Sequence, residues 1–152
     1  MSVSSEVRDI ITRKKQRYCR FADTNQWQKM VEIVLPEATY KFYECDGSLV
    51  KFEGIEFDFP STAEWIKFFG STLFPRSQGI HLIGPGELKQ TGPDEVKAIW
   101  SVIYHACVME SSGESHQTGG GYYYETWKQK AGDWFIQDLK FEKTYFRLME
   151  GS

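Results

Sequence analysis

Residues 95–149 decide the fold, and they read EVKAIWSVIYHACVMESSGESHQTGGGYYYETWKQKAGDWFIQDLKFEKTYFRLM. Three runs in this stretch are rich in β-branched and aromatic residues, namely Glu95 to Glu110, Gln117 to Lys130 and Trp134 to Met149. The segments between them, Ser111-Ser112-Gly113-Glu114 and Ala131-Gly132-Asp133, are typical of hairpin loops. Because these runs are longer than an ordinary strand, we expect a sheet that curls strongly.

Two helices are predicted ahead of this sheet. Apolar residues recur at three- and four-residue spacing from Ser5 to Ala22, which indicates an amphipathic helix. A second, shorter helix is predicted from Gln26 to Val34, with Asn25 as its N-cap and Pro36 after its end.

The middle of the chain carries signals for a third helix and for short strands. Ser61 with Glu64 three residues later forms a capping pair, which opens a helix running to about Ser71. Asp46-Gly47 between two apolar runs is a strong hairpin signal, and Gly79 to Gly84 is predicted to be a short strand.

Helices followed by a long, bent antiparallel sheet define the predicted fold class. Such a sheet closes most easily around the helices, so we expect an α+β fold: a cone-shaped, half-open barrel with N-terminal helices packed in a strongly curved antiparallel sheet. Gly119-Gly120-Gly121 is interpreted as a bulge that lets the sheet bend. The chain has no repeat and no break in composition, so residues 1–152 are predicted to form one domain. A cone has a mouth, and a mouth lined with rings suits a flat apolar ligand.

The composition narrows the functional class. Aromatic residues make up 16% of the chain, and so many rings belong in a core or around a pocket. The net charge of −3 argues against a nucleic-acid partner, and the chain has neither an apolar run long enough to cross a membrane nor the opening of a signal peptide. The three cysteines are odd in number and widely spaced, which fits free thiols in a reducing compartment, so we expect a cytoplasmic protein.

Several segments together resemble a known family. They are Asp23-Thr24-Asn25-Gln26-Trp27, Gly79-Ile80-His81-Leu82-Ile83-Gly84, and Gly121 to Trp127 followed by Gly132-Asp133-Trp134-Phe135-Ile136. In order and spacing they resemble the SnoaL-like group of the nuclear-transport-factor-2-like superfamily, and within it the scytalone dehydratases. The resemblance implies a cone whose cavity performs cofactor-free acid–base chemistry on polyketide- or terpenoid-like rings.

The resemblance also implies roles for individual residues. Asp23 matches an aspartate that orients a histidine, and His81 matches that histidine. The two tyrosines that hold the water-transfer site in the dehydratases are replaced here by Ala22 and Phe42. We therefore expect a related elimination, isomerisation, ring rearrangement or cyclisation rather than dehydration of scytalone itself.

Three further positions depart from the dehydratase pattern. The family's second active-site histidine falls on Ala106, and it falls on His105 only if a one-residue bulge shifts the strand. The family's serine and asparagine near the end of the chain match Gly121 and Tyr123.

The candidate catalytic residues are Asp23, His81 and Glu125. Histidine suits general acid–base work because its ordinary pKa lies near neutrality. The alternative is that Asp23 only caps the second helix and that His81 is a core histidine. The resemblance implies that Tyr123 points into the cavity, and strand alternation then places Glu125 there as well, where it would be an acid or a base. The alternative is a rim position paired with Lys128 or Arg147.

Nine residues are candidates for substrate binding. Matching places Trp100 and Tyr104 inward and His105 outward unless a bulge intervenes. Tyr40 and Tyr104 are candidate hydrogen-bond donors to a substrate carbonyl or enolate, with ordinary core tyrosines as the alternative. The full set is Tyr40, Phe42, Trp65, Phe68, Phe69, Trp100, Tyr104, His105 and Tyr123. The three histidines lack metal-ligand spacing, so no metal and no cofactor are expected.

Two functions are carried forward. The first is a cofactor-free isomerase, cyclase or dehydratase that acts on a small, hydrophobic, polycyclic intermediate of secondary metabolism. The second is a non-catalytic module of the same fold that binds a small molecule or dimerises. In either case the outer face of the long sheet is apolar enough to predict a homodimer.

Overall fold

The computed structural model describes residues 2–110 and 113–150. Two α-helices and nine strands make up its regular structure, with 3₁₀ turns at Trp27–Glu32 and Phe74–Arg76 and a π-helical turn at Phe69–Leu73. In chain order the elements are α1 (Ser5–Asp23), β1 (Val34–Tyr43), β2 (Lys51–Phe52), β3 (Ile55–Glu56), β4 (Asp58–Phe59), α2 (Thr62–Phe68), β5 (Ser77–Ile83), β6 (Glu87–Gly92), β7 (Glu95–Glu110), β8 (Gly113–Lys130) and β9 (Asp133–Glu150).

The sheet is curved and half-open, as predicted, but it is not antiparallel throughout. Its strand order is β4-β1-β9-β8-β7-β5, with β6 paired to the first half of β7. Neighbouring strands are antiparallel except β1 and β9, which run parallel. Strands β1 and β9 are separated by most of the chain, so no hairpin constrains their relative direction.

The long strands follow the sequence prediction closely. Strands β7 and β8 pair without a register shift along their whole length, and a shift between β8 and β9 falls at Gly120 and Gly121, where the bulge is predicted. Ala131 and Gly132 both have positive φ and form the predicted tight turn. Gly113 and Glu114 lie in β8 rather than in a loop, and Ser111-Ser112 lie outside the described residues.

The predicted second helix is wrong in type and length. Only a 3₁₀ turn forms, and Val34 already belongs to β1, because the apolar residues there pair with β9 instead of continuing a helix. Asn25 does not cap the turn; it has φ +56°, the left-handed conformation that ends α1. Pro36 lies within β1, where a register shift accommodates its missing N–H.

The predicted start of the third helix and the predicted Asp46-Gly47 turn are both confirmed. The Ser61 hydroxyl accepts a hydrogen bond from the Glu64 N–H at 3.3 Å and opens α2, as predicted. The Asp46-Gly47 turn forms with Gly47 at φ +87°. Strand β6 carries no strand signal because Leu88 is its one large apolar residue. Among the described residues, none of the helices combines the length and apolarity required to cross a membrane.

Helix α1 divides the concave side of the sheet into two regions. Its middle packs on the β8–β9 hairpin, where Lys14 Nζ lies 3.1 Å from Asp133 Oδ2 and Lys15 reaches Glu125. Its last turn, with Tyr18, borders a cavity over the other end of the long strands. One end of the sheet is therefore closed core, and the other end is open to a ligand.

Candidate active site

A carboxylate and an imidazole meet where α1 ends against β5. The Asp23 Oδ1 atom lies 2.6 Å from His81 Nδ1, and Asp23 Oδ2 accepts the main-chain N–H of His81 at 2.9 Å. Both side chains are mostly buried, with 13% and 18% of their surface exposed. Because the carboxylate accepts Nδ1–H, the ring is held in the tautomer whose Nε2 carries a lone pair. Nε2 has no hydrogen-bond partner among the described residues.

The position of Asp23 is unfavourable for the helix that carries it. It is the last residue of α1, where the partial negative charge of the helix dipole opposes a carboxylate. The two hydrogen bonds from His81 compensate for this conflict. Helix propensity therefore does not explain why an aspartate occupies position 23, whereas its contact with His81 does.

The pair lines an aromatic cavity of about 230 Å³. Its walls include Trp27, Phe42, Phe57, Phe69, Phe74 and Phe141. A polar surface depression of about 400 Å³ also exists, but it is bordered by charged side chains such as Asp94 and Lys128 and lies away from the pair. We assign the site to the aromatic cavity because it brings acid–base groups and apolar walls together.

Tyr104 stands beside the imidazole. It is the direct cross-strand neighbour of His81, and the two ring centroids are 5.7 Å apart. Burial raises the pKa of the Tyr104 phenol, so the hydroxyl stays protonated and can donate a hydrogen bond. A side chain at Gly119 would come within 2.4 Å of this hydroxyl, so the glycine leaves the room that Tyr104 occupies.

The structure brings six predicted residues to the cavity wall. In addition to Asp23 and His81, these are Phe42, Phe69, Tyr104 and Tyr123. His105 borders the cavity as well, but its side chain is exposed and its Nδ1 lies 3.1 Å from Thr118 Oγ1 on the outer face. The pairing of β7 with β8 has no bulge there, so His105 faces outward and Ala106 lines the cavity.

Four other predicted substrate contacts belong to the core or to its edge instead. Tyr40 is fully buried, stacks on Trp65 at 4.2 Å and shares a 2.7 Å hydrogen bond with Thr62. Phe68 packs behind the wall on Phe57 and Phe59 and does not itself line the cavity. Trp65 and Trp100 are also fully buried. A side chain can point to the predicted side of its strand or helix without contacting the cavity, because neighbouring rings occupy the space between them.

Glu125 is on the predicted face but not in the cavity. It is 3% exposed, and its carboxylate is paired with Lys15 of α1. The same carboxylate accepts the indole N–H groups of Trp100 at 2.9 Å and Trp127 at 3.0 Å. Both earlier interpretations, a cavity acid or base and a rim residue paired with Lys128 or Arg147, are therefore corrected to a buried structural ion pair.

Sequence reasoning missed two features of the cavity. Tyr18 lines it, five residues before Asp23 on the same helix, but its spacing is also that of a core position. At the mouth, Lys143 Nζ lies 2.8 Å from Glu44 Oε1 and 4.1 Å from the centroid of Phe146. Lys143 lies in a long strand with no local signal that its side chain turns inward.

A group of possible metal ligands lies elsewhere. Within the described residues, the donor atoms of Cys107, Glu114 and His116 are all within 4.8 Å of one another. None of these residues lines the cavity, and Glu114 and His116 are exposed.

Comparisons with known proteins agree with this architecture. Residues 3–140 match the model of a family described as a SnoaL-like domain. A protein of Gibberella zeae named probable cyclase FGR4 is 48% identical over 149 residues, which cover 98% of this chain and 99% of that protein.

Two solved structures share the fold at low identity. Hexachlorocyclohexane dehydrochlorinase LinA-type3 from Novosphingobium barchaimii LL02 has a TM-score of 0.74 and 18% identity, covering 95% of this chain and 91% of its own. The Kfla4162 protein from Kribbella flavida has a TM-score of 0.78 and 14% identity, covering 93% of each chain.

The family match spans both halves of the molecule, from the helix that ends at Asp23 to the last strand of the sheet. The resemblance predicted from the sequence is confirmed, and the chain belongs to the SnoaL-like family.

Proposed function

We propose that this protein is a cofactor-independent cyclase or isomerase in which His81, oriented by Asp23, moves a proton on an apolar ring substrate. The observation that carries the proposal is the contact of imidazole and carboxylate inside an aromatic cavity. The 48% identity to a protein named as a probable cyclase supports the reaction class.

The chemistry needs only the groups that line the cavity. The lone pair on His81 Nε2 takes a proton from a carbon next to a substrate carbonyl, and the electron pair of that C–H bond moves onto the carbonyl oxygen. Asp23 stabilises the imidazolium that forms. The imidazolium then returns the proton to another atom of the substrate. In a cyclisation, the enolate instead attacks a second carbonyl carbon, the electron pair of that C=O bond moves onto its oxygen, and this oxygen takes the proton from the imidazolium. Tyr104, beside His81, can hydrogen-bond to the same part of the substrate.

The size of the cavity supports a compact substrate. An apolar cavity of about 150 Å³ accommodates benzene, and this one measures about 230 Å³. One or two fused rings therefore fit inside, and further rings of a polycyclic polyketide- or terpenoid-like substrate would project through the mouth past Lys143 and Glu44.

A non-catalytic binding module is the alternative. A plugged cavity would favour it, but Trp100 lies outside the lining residues and Tyr104 and Tyr123 form walls around open space. The Asp23 carboxylate also fixes the tautomer of His81 by its contact with Nδ1. A fixed tautomer is needed for proton transfer but not for binding a small molecule. Both observations favour the enzyme.

Proton exchange tests the proposal without knowledge of the natural substrate. Bicyclic ketones such as 1-tetralone and 2-tetralone are incubated with the protein in D₂O, and deuterium incorporation is followed by mass spectrometry. We expect exchange above the buffer rate, and we expect His81→Gln to reduce it by about 10²-fold or more. His116→Gln, at an exposed position outside the cavity lining, is the matched control and keeps the wild-type rate. Equal exchange in wild type and His81→Gln would refute the assignment.

A further inference from the structure

Two phenols form the most deeply buried polar part of the cavity wall. Tyr18 and Tyr123 are 4% and 3% exposed, yet both line the cavity. Their rings meet edge to face with centroids 5.8 Å apart. Each phenol carries one O–H donor, so the two neighbouring rings offer a ligand in the cavity two donors.

A buried cation lies against both rings. Lys15 Nζ is 3.9 Å from the centroid of Tyr18 and 3.5 Å from that of Tyr123. The Lys15 side chain is fully buried, and its charge is balanced by Glu125. The ammonium interacts with the ring faces, which fixes the two phenols in position.

The phenols share a continuous wall with the imidazole. The Tyr123 ring lies 5.0 Å from Phe141, Phe141 lies 6.3 Å from Tyr104, and Tyr104 lies 5.7 Å from His81, as measured between centroids. The phenols and the imidazole therefore border one cavity, and a ligand that spans it meets both.

We propose that Tyr18 and Tyr123 form a carbonyl-binding subsite, in which a hydroxyl donates a hydrogen bond to the oxygen of a ring ketone or enone. This subsite would hold the substrate of the proposed enzyme, and its catalytic role rests on that proposed function. When His81 takes the proton from carbon, the electron pair moves to this oxygen, and the hydrogen bond strengthens as negative charge develops there. No proton leaves the phenol in this step.

The state of the phenols agrees with a donor role. Burial raises the pKa of both Tyr18 and Tyr123 well above the ordinary value, and the charge of Glu125 acts in the same direction. Both groups therefore remain neutral donors at physiological pH. Lys15 is a positioning residue, because it reaches the ligand only through the rings that it contacts.

Binding of a matched pair of probes tests the subsite. The probes are 1-tetralone and tetralin, which share the bicyclic frame and differ in the carbonyl oxygen. We expect the wild-type protein to prefer the ketone, and we expect Tyr18→Phe or Tyr123→Phe to reduce that preference by about 3- to 10-fold. Tyr40→Phe is the matched control, since that hydroxyl bonds Thr62 in the core, and it leaves the preference unchanged.

The infrared carbonyl band of bound 1-tetralone provides the second readout. The subsite lowers its frequency, Tyr18→Phe moves it toward the value in an apolar solvent, and Lys15→Met moves it part of the way. A wild-type protein that binds 1-tetralone no better than tetralin overturns the proposal, and so does an unchanged preference in both Tyr variants. These measurements need no turnover. The carbonyl-binding subsite can therefore be refuted or supported independently of the catalytic role of His81.

Discussion

Both oxygens of the Asp23 carboxylate are engaged by one residue, His81. The main-chain N–H of His81 donates to Oδ2 at 2.9 Å, and the ring Nδ1 lies 2.6 Å from Oδ1. The first contact fixes strand β5 against the end of α1, and the second fixes the imidazole relative to the strand. The geometry of the ring therefore depends on a side chain that lies 58 residues away in the chain.

Asp23→Asn should separate catalysis from folding. The amide no longer stabilises an imidazolium, so we expect deuterium exchange into 1-tetralone to fall by about 10²-fold or more. Removing a negative charge from a helix C-terminus is worth about 0.3–1 kcal/mol, which offsets weaker hydrogen bonds. The free energy of unfolding in urea should then change by less than about 1 kcal/mol. Asp9→Asn, on the exposed side of the same helix, should alter neither quantity, and an exchange rate unaffected by Asp23→Asn would contradict the role of the pair.

The Lys15–Glu125 pair should behave as a buried ion pair. Lys15→Met leaves the Glu125 carboxylate uncompensated, and we expect a loss of about 3–5 kcal/mol in the free energy of unfolding. The double variant Lys15→Met/Glu125→Gln should lose less than the sum of the single variants, because the remaining amide still accepts from Trp100 and Trp127. Urea denaturation measures all three.

An exposed ion pair provides the control for that cycle. Lys130 and Glu37 are more than half exposed, so Lys130→Ala should cost less than about 1 kcal/mol. If the losses in free energy of unfolding caused by Lys15→Met and Glu125→Gln were strictly additive, the buried ion pair would contribute no coupling free energy.

Stability should decrease at alkaline pH, in part because of Cys19. Burial raises the pKa of this thiol from its ordinary value of 9.0 to about 11. Between these values the unfolded chain has lost the proton and the folded chain keeps it, so the free energy of unfolding falls as pH rises. The stabilisation is fully present below pH 9, and roughly 2 kcal/mol of it is lost by pH 11.

The slope of stability against pH measures this effect. Cys19→Ala should flatten the decrease between pH 9 and 11 whatever its effect on overall stability, whereas Cys45→Ala, at an exposed position, should leave the slope unchanged. Identical slopes for wild type and Cys19→Ala would show that the thiol does not titrate differently in the folded state.

The outer face of the sheet should mediate the predicted homodimer. Leu82, Ile103 and Tyr145 are 62%, 57% and 48% exposed, and strand pairing places them in one row across β5, β7 and β9. We expect light scattering at micromolar concentration to give twice the mass of the chain, and Ile103→Arg to give the monomer mass. Val31→Arg replaces an equally exposed apolar residue elsewhere and should preserve the dimer. A monomeric wild-type protein would refute this prediction.

Local signals determined the elements that form from neighbouring residues. The spacing of apolar residues predicts α1, the Ser61–Glu64 pair predicts the start of α2, and the long β-rich runs predict β7, β8 and β9. These predictions hold because each depends on periodicity or on contacts within one turn. The second helix failed for the opposite reason, since pairing of β1 with β9 competes with local propensity there.

Asp23 and His81 were predicted from family resemblance, because nothing in the sequence between them brings them together. Alternation along β8 correctly placed Tyr123 and Glu125 on one face. It did not reveal what covers that face. Helix α1 covers Glu125 and pairs it with Lys15, whereas Tyr123 contacts the same lysine and also borders the cavity.

The sequence by itself therefore determined α1 and the long strands, and which residues of each long strand share a face, because side chains alternate along an extended backbone. Only the tertiary structure decided which inward side chains meet the ligand and which meet another side chain. Tyr18 lines the cavity, whereas Tyr40, Trp65 and Trp100 fill the core, because the path of α1 across the sheet fixes where the packed interior ends.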